Sequence, residues 1–211
     1  MMRRLIVKPL ISYDESIKLG EILPVIGAVE LQNLAVTYNE IYVANKETEK
    51  LIRHEAEHDP LTDLLNRGSF NKLIHIYETG ESPFALILVD VDVFKAVNDT
   101  FGHGIGDQIL RKVASVLKKQ FRNIDYVCRI GGDEFAVIMV NSTSDKRCTI
   151  QKKIEDANEE LSNPTDSLPA VSLSVGVAFS DRKNPNGSIS NDADTALYYI
   201  KEHGRHNCGF Y

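Results

Sequence analysis

Residues 126–140 read YVCRIGGDEFAVIMV: a short apolar stretch, two glycines, two acids and a longer apolar stretch. Apolar and β-branched runs on either side of a glycine pair are typical of two antiparallel strands joined by a tight turn, because glycine tolerates positive φ. The sequence therefore predicts strands at 126–130 and 134–140. Two acids, Asp133 and Glu134, come directly after the turn between them.

A second strand is predicted upstream of this hairpin. Residues 83–89 contain the continuous apolar run Phe-Ala-Leu-Ile-Leu-Val, and Asp-Val-Asp follows at 90–92. A run of this length indicates a strand that is covered on both faces. Ligands tend to bind beyond the carboxyl ends of strands, and neighbouring carboxylates repel each other unless a cation joins them. Oxygen donors of this kind suit Mg²⁺.

Each acidic cluster also has an ordinary interpretation. The Asp-Val-Asp at 90–92 matches a helix cap, and Asp133 and Glu134 match a hairpin with solvated acids. Two acidic clusters beside apolar strands in one small domain indicate a shared metal site more strongly than either cluster does alone.

The rest of the chain after residue 58 alternates between helical and strand patterns. Apolar residues recur at helical spacing or in strand-like alternation, in helices at 66–79, 107–121, 149–161 and 192–203 and a strand at 170–179. Because helices and strands are mixed along the chain, the pattern predicts an α+β domain with a central sheet wrapped by helices.

Residues 1–57 form a separate part. Apolar residues and two polar ones recur alternately three and four apart, at Leu31, Leu34, Tyr38, Ile41, Asn45, Thr48 and Ile52. A seven-residue period predicts a long helix with a narrow seam, and hence a parallel homodimer. The alternative is a single helix that packs on its own domain. Asp59-Pro60 is expected to end the helix, because a residue before proline avoids the helical region.

The composition excludes several classes of protein. The chain has 211 residues and a net charge of −6, which argues against a broad DNA or RNA surface. Its three cysteines have no metal-binding spacing, as expected in a reducing, cytoplasmic compartment. No apolar run approaches the roughly 20 residues that a membrane span requires.

The stretch after Asp92 carries polar groups suited to a nucleotide. Asn98 and Asp107 can pair with the edge of a base, and a carboxylate suits the adjacent N–H donors of guanine. Lys95 can place a positive charge against a phosphate. His103 is a candidate general base or substrate-binding residue, although a histidine that makes structural hydrogen bonds at a helix start is the favoured interpretation.

Lys201 and Arg205 lie four residues apart near the end of the last predicted helix. That spacing lets both side chains face one side of the helix. They are candidates for a phosphate clamp, or they merely complement the helix dipole. The residues alone leave both alternatives open.

Six strings, taken together and in order, resemble the GGDEF family of diguanylate cyclases. They cover about residues 58–211 and stand at 59–67, 90–99, 101–107, 129–135, 174–178 and 193–205. The resemblance implies a mainly antiparallel five-stranded sheet wrapped by helices, similar to the palm of nucleotide cyclases and polymerases. It also implies that two GTP molecules are joined into cyclic di-GMP and pyrophosphate with Mg²⁺, for which Mn²⁺ is an alternative.

The same resemblance implies roles for individual residues. Asp90, the Val91 carbonyl and Asp133 would hold one metal ion, and Glu134 a second. Asp133 or Glu134 would help to deprotonate the attacking hydroxyl. The remaining residues would bind GTP. Asn98 and Asp107 would contact the guanine, and Phe94 and Leu61 would line the base pocket. Lys95, Lys201 and Arg205 would contact the phosphates, and Lys95 would also stabilise the transition state.

Arg122 and Asp125 match the position of the family's product-inhibition motif, so the resemblance implies feedback by cyclic di-GMP. Family members often add a second arginine from a neighbouring helix, which the sequence does not identify; Lys152 and Lys153 are the nearest cations. The competing interpretations are a non-catalytic domain of the same fold that senses GTP or cyclic di-GMP, and a plain dimerisation module.

Residues 1–57 resemble, more loosely, a HAMP-type signalling linker. The likeness rests on Lys8-Pro9-Leu10, Gly27, Glu30-Leu31 and the segment at 34–40. Because such linkers usually follow a membrane helix, the resemblance implies that the chain is the cytoplasmic part of a larger membrane-bound sensor.

Overall fold

A computed structural model describes all 211 residues, which form two compact units, Met1–Ala56 and Glu57–Tyr211. No helix in either unit combines the length and the apolar character that a membrane crossing demands.

The first unit is a pair of helices joined by a connector. A short π-helical stretch, Arg3–Val7, continues into α1, Lys8–Leu19, and α2 is Val29–Glu57. The two helices run in the same direction. The Ala28 N–H donates to the Leu5 carbonyl at 3.0 Å near their starts, and the Tyr42 hydroxyl donates to the Gly20 carbonyl farther along.

The core of this unit is small. Tyr13, Leu23 and Ala35 are buried, with Leu31 and Tyr38 packed against them. Many large apolar side chains of the unit stay exposed, among them Leu10, Ile17, Leu34, Ile41, Leu51 and Ile52.

The second unit is an α+β domain. Its elements follow in chain order as α3 (Arg67–Thr79), β1 (Phe84–Val91), α4 (Phe94–Phe101), α5 (His103–Gln120), β2 (Tyr126–Arg129), β3 (Glu134–Val140), a 3-10 turn (Ser144–Lys146), α6 (Arg147–Ser162), β4 (Leu173–Phe179), α7 (Ile189–Glu202) and β5 (Cys208–Phe210). The sheet has the strand order β2-β3-β1-β4-β5, and only the β4–β5 pair is parallel. The expected five-stranded, mainly antiparallel sheet wrapped by helices is confirmed.

The position of β1 in the centre of the sheet creates the site. Asp90 lies opposite Glu134 of β3 on one side and opposite Ser174 of β4 on the other. The carboxyl end of β1 therefore lies beside the glycine turn of the predicted β2–β3 hairpin, which the structure confirms.

Helices cover both faces of the sheet. Apolar side chains of α5 and α6 pack on one face, and those of α3 and α7 pack on the other. Helix α7 approaches β4 closely at Gly176, where a Cβ atom would lie 2.6 Å from the Leu197 Cβ. This contact fixes the end of α7, and with it Lys201, relative to the central strands.

Three elements begin three or four residues away from the sequence-based expectations. Helix α5 begins at His103 rather than Asp107, β4 begins at Leu173 rather than Ala170, and α7 begins at Ile189, where the Ser188 side chain accepts a hydrogen bond from the Asn191 N–H. Helices α1 and α4 and strand β5 were not predicted. They are short, and β5 depends on pairing with β4 rather than on a pattern of its own.

Candidate functional site

Most of the predicted catalytic and phosphate-binding residues line one cavity of about 280 Å³. The cavity lies where the end of β1, the start of α4, the hairpin turn and the end of α7 meet. Its lining comprises Asp90, Val91, Val93, Phe94, Lys95, Asp133, Lys201 and Arg205.

The two central carboxylates of this cavity belong to Asp90 and Asp133. The Val91 N–H donates to the Asp133 carbonyl at 3.2 Å, which joins β1 to the hairpin turn. Burial raises the pKa of the Asp90 carboxyl, the Lys201 ammonium lowers it, and the charges of Asp133 and Asp92 raise it further, so the net shift is upward. Negative charge is therefore concentrated at this point, as a cation site requires.

Lys201 already supplies one cation. Its Nζ lies 2.6 Å from Asp90 Oδ2, and both side chains are largely buried. Lys95 is exposed on the first turn of α4, at the other side of the cavity. Val93, which precedes it, is a β-branched residue with a φ of 53°, a strained conformation of the kind found at functional sites.

Asp92 does not share the environment of Asp90. Its carboxylate is buried and accepts hydrogen bonds from the Ser172 and Ser174 hydroxyls, each at 2.6 Å, and from the His206 N–H at 3.2 Å. Of the two acids at 90 and 92, only Asp90 lines the cavity.

Asn98 carries the clearest sign of an absent binding partner. Its Oδ1 atom is buried without a hydrogen-bond partner, an unfavourable state that a bound N–H donor would relieve. Gly106 makes room for it, since a Cβ there would overlap Asn98 and lie 3.2 Å from the Phe94 ring. Asp107 follows on α5, and Leu61, like Phe94, packs partly buried against the core.

His103 does not join this group. It is exposed at the first position of α5 and does not line the cavity.

Arg122 and Asp125 form a separate cluster. The Arg122 guanidinium donates to both Asp125 carboxylate oxygens, at 3.0 and 2.7 Å, and to the Val140 carbonyl at 2.7 Å. The Asp125 carboxylate is fully buried and raises the pKa of Arg122, whose side chain is 45% exposed. Arg122 and Asp125 line a cavity of about 350 Å³, and Lys118 lines it too.

Lys153 contacts the two residues that precede Arg122 in the chain. Its ammonium donates to the Gln120 carbonyl and lies 5.6 Å from the centre of the Phe121 ring, so it is anchored to the segment that leads into Arg122. Lys152 instead points to Asp156 on its own helix at 3.5 Å and is 76% exposed. The structure therefore distinguishes two neighbouring cations that the sequence alone did not.

A profile of the family described as "Diguanylate cyclase, GGDEF domain" matches residues 56–207. The chain belongs to the GGDEF family. The family membership expected from the six sequence strings is thereby confirmed.

Similar proteins from bacteria agree with this membership. Diguanylate cyclase DosC of Escherichia coli is 36% identical over 166 residues, which are 74% of this chain and 35% of DosC. The probable diguanylate cyclase DgcT of the same organism is 34% identical over 163 residues, 74% of this chain and 36% of DgcT. The chain thus spans about a third of the length of these relatives.

Among solved structures, the coiled coil and GGDEF domain of DgcB from Caulobacter crescentus in complex with c-di-GMP resembles this chain. The TM-score is 0.70 at 30% identity, over 85% of this chain and 97% of that one. The DgcB GGDEF domain alone gives a TM-score of 0.64 at 32% identity, over 74% of this chain and 95% of that one.

One connection in the GGDEF domain was missed from the sequence. Arg129 donates to Asp59 at 3.0 Å and to the Gly132 carbonyl at 2.8 Å, and so ties the start of the domain to the hairpin turn that carries Asp133. Asp59 and Arg129 both stand in the quoted strings, but nothing in their spacing indicates that they meet across 70 positions.

Proposed function

We propose that this chain condenses two GTP molecules into cyclic di-GMP and two pyrophosphates. The observation that carries the proposal is the single cavity in which the Asp90 and Asp133 carboxylates face the cations Lys95, Lys201 and Arg205. Acidic and basic groups that converge in this way suit a metal-bound triphosphate.

The donor set fits a divalent cation. Asp90, the Val91 carbonyl and Asp133 would hold Mg²⁺, with Mn²⁺ as the alternative, and Glu134 would serve a second ion. Burial is the main cause of the raised pKa of the Asp90 carboxyl, and the charges of Asp133 and Asp92 raise it further. A bound cation would favour the ionised carboxylate against both effects, which supports this assignment. When bound, such ions neutralise charge on the phosphates and acidify the attacking hydroxyl.

The side chains around the metal site bind and orient the nucleotide. Asn98 and Asp107 accept N–H groups of guanine, and the unpartnered Asn98 Oδ1 supports this role. The ring of Phe94 and the side chain of Leu61 line the base pocket. The phosphates are held by three cations, Lys95, Lys201 and Arg205.

The chemical step needs one proton acceptor. In each of two bond-forming steps, Asp133 or Glu134 takes the proton of a ribose 3′-hydroxyl as that oxygen attacks the α-phosphorus of the other nucleotide and a pyrophosphate leaves. The second step closes the ring and releases the second pyrophosphate. Lys95 offsets the negative charge that develops on the phosphoryl oxygens. Positioning supplies most of the rate enhancement in reactions of this kind.

The product has two equivalent halves, so two domains with one GTP each must face each other. We infer that residues 1–57 supply the homodimer. Leu34, Ile41 and Ile52 of the predicted seam are all exposed on α2, and exposed apolar stripes of this kind mark association surfaces. Joining two domains raises the effective concentration of the second half-site.

Residues 1–57 would then act as a HAMP-like signalling segment and 58–211 as the cyclase, in the cytoplasm or on the cytoplasmic side of a larger sensor. The parallel helix pair supports this division, as does the DgcB structure, which contains a coiled coil as well as a GGDEF domain.

We propose that product inhibition acts through Arg122 and Asp125, with Lys153 as the additional cation. Cyclic di-GMP would exchange the internal bonds of Arg122 for bonds to guanine or phosphate, which its half-exposed side chain permits. Lys153 would supply the second cation.

Incubation of the purified chain with GTP and Mg²⁺, with products identified by mass spectrometry, tests the proposal. Cyclic di-GMP is expected from the wild type, whereas Asp133→Ala and Glu134→Ala should each abolish turnover with an unchanged circular dichroism spectrum. Asp145→Ala, which removes an exposed acid outside the cavity, is the control. GTP binding without turnover by the wild type would favour a nucleotide sensor instead.

A further inference from the structure

Asp92 is a buried acid that the proposed chemistry does not use. It lies two residues from Asp90, yet both of its carboxylate oxygens are occupied by the Ser172 and Ser174 hydroxyls and by the His206 N–H. A buried carboxylate is costly unless its surroundings satisfy it, so three converging donors indicate a specific role.

The turn after α7, to which Asp92 is bonded, is strained. Gly204, Arg205 and His206 all have positive φ, at 108°, 61° and 51°. Glycine tolerates this region, but Arg205 and His206 do not adopt it without support from their surroundings. The supporting bonds are those of the Arg205 N–H to the Ile200 carbonyl at 3.0 Å and of the His206 N–H to Asp92 at 3.2 Å.

The strained turn carries a phosphate-binding candidate. The Arg205 side chain is 54% exposed and lines the cavity beside Lys201. Its closest approach to Asp92 is by Nε, 4.0 Å from Asp92 Oδ1. Asp92 thus attracts the inner edge of the guanidinium, an arrangement that leaves the two terminal nitrogens for an anion.

We propose that Asp92 is a positioning residue that holds the 204–206 turn, and through it the Arg205 guanidinium, ready for the triphosphate of GTP. The inference rests on the proposed function, because it assigns Asp92 to the same nucleotide site. Asp92 acts on nucleotide affinity through Arg205 and has no role in holding the metal.

The test is a double-mutant cycle on nucleotide binding. Isothermal titration calorimetry would measure the Kd of the full chain for a GTP analogue with a methylene bridge between the α and β phosphorus atoms, in the presence of Mg²⁺. Asp92→Asn and Arg205→Ala are each expected to weaken binding about tenfold, the effect of one lost charge-assisted contact. The double variant should bind no more than about twofold more weakly than Arg205→Ala alone.

Lys201→Ala provides the matched background, because Lys201 lines the same cavity but pairs with Asp90. In the Lys201→Ala background, Asp92→Asn should still weaken analogue binding about tenfold. If Asp92→Asn does not fold, Ser172→Ala gives the same test, because it removes one hydrogen-bond donor to Asp92 and keeps the Asp92 charge. Ser172→Ala should weaken analogue binding when it is the only substitution. It should have no effect on binding when Arg205→Ala is also present.

If the double variant Asp92→Asn, Arg205→Ala bound the analogue about a hundredfold more weakly than the wild type, the two effects would be independent. That result would overturn this inference but leave the proposed function intact. A wild-type chain that does not bind the analogue would overturn the proposed function and this inference with it.

Discussion

The ammonium of Lys201 lies 2.6 Å from Asp90 Oδ2, at the carboxylate to which the proposed metal ion would bind. The same lysine is a candidate for the phosphates. The two roles are compatible if Lys201 neutralises Asp90 until a divalent cation arrives with the nucleotide, and then turns to the triphosphate. The ion pair therefore opposes the binding of metal without nucleotide.

Replacement of Lys201 by methionine should strengthen the binding of Mn²⁺ in the absence of nucleotide by about tenfold, because one competing cation is removed from Asp90. Electron paramagnetic resonance of free Mn²⁺ measures this affinity directly. Lys119→Met is the control, since it removes the same charge from an ion pair of 2.7 Å elsewhere on the surface. An unchanged Mn²⁺ affinity in Lys201→Met would show that Lys201 does not compete for the site.

The proposed metal-binding part of the site was predictable from the sequence because its residues lie in two local segments, the end of one strand and an adjacent hairpin. The apolar run at 84–89 specifies a central strand, and the glycines at 131 and 132 specify a turn in the adjacent hairpin. Pairing of β1 with β3 places Asp90 opposite Glu134 and therefore beside Asp133, so no further contact is needed to bring the two aspartates together. The order of the six strings that resemble the GGDEF family then indicated the fold of the whole domain.

The supporting contacts were not predictable, because they join segments that are far apart in sequence. Ser172 and Ser174 reach Asp92 across 80 and 82 positions. Neither serine stands out by its type, and the strand that carries Ser174 reads as an ordinary core strand. Lys153 could not be separated from Lys152 until the direction of each side chain on α6 was known.

A methyl group at Gly106 should impair the base pocket while leaving the fold intact. In Gly106→Ala the new Cβ would overlap the Asn98 carboxamide and lie close to the Phe94 ring. Asn98 must then move away from the position where it would read guanine. We expect a rise of at least about tenfold in the KM for GTP, as for the loss of a site built to hydrogen-bond its substrate.

Gly104→Ala is the matched control for this change. Gly104 lies on the same helix, and a Cβ there meets no atom within 4 Å. Its KM and melting temperature should stay close to those of the wild type. Equal KM values for the two alanine variants would contradict the assignment of Asn98 to the base.

The two neighbouring lysines of α6 should differ in their effect on product inhibition. Lys153→Ala is expected to raise the concentration of cyclic di-GMP that halves activity by about tenfold, because the cation held against Gln120 and Phe121, just before Arg122 in the chain, is lost. Lys152→Ala should leave it unchanged, since Lys152 faces Asp156 and solvent. Steady-state rates at increasing product concentration give both values. Equal inhibition of the two variants would remove Lys153 from the inhibitory site.

The Asp59–Arg129 ion pair should make the stability of the domain depend on pH. Burial alone would raise the pKa of the Asp59 carboxyl, but hydrogen bonds from Thr62 and Arg129 outweigh it and lower the pKa below its ordinary value of 3.8. A carboxyl whose pKa is lowered by folding stabilises the folded state above the ordinary pKa, and this stabilisation is lost as the pH falls through the folded pKa. The effect is therefore complete at neutral pH.

Asp59→Asn should reduce the free energy of unfolding at neutral pH by about 3 kcal/mol, because Arg129 loses the partner of a largely buried pair. The difference from the wild type should shrink below about pH 4, where protonated Asp59 resembles asparagine. Urea denaturation at neutral and acidic pH measures it, and Asp166→Asn, which removes an exposed acid paired with Lys112, should have a much smaller effect. A difference that stays constant down to acid pH would mean that folding does not lower the pKa of the Asp59 carboxyl, and that the ion pair with Arg129 does not stabilise the folded domain.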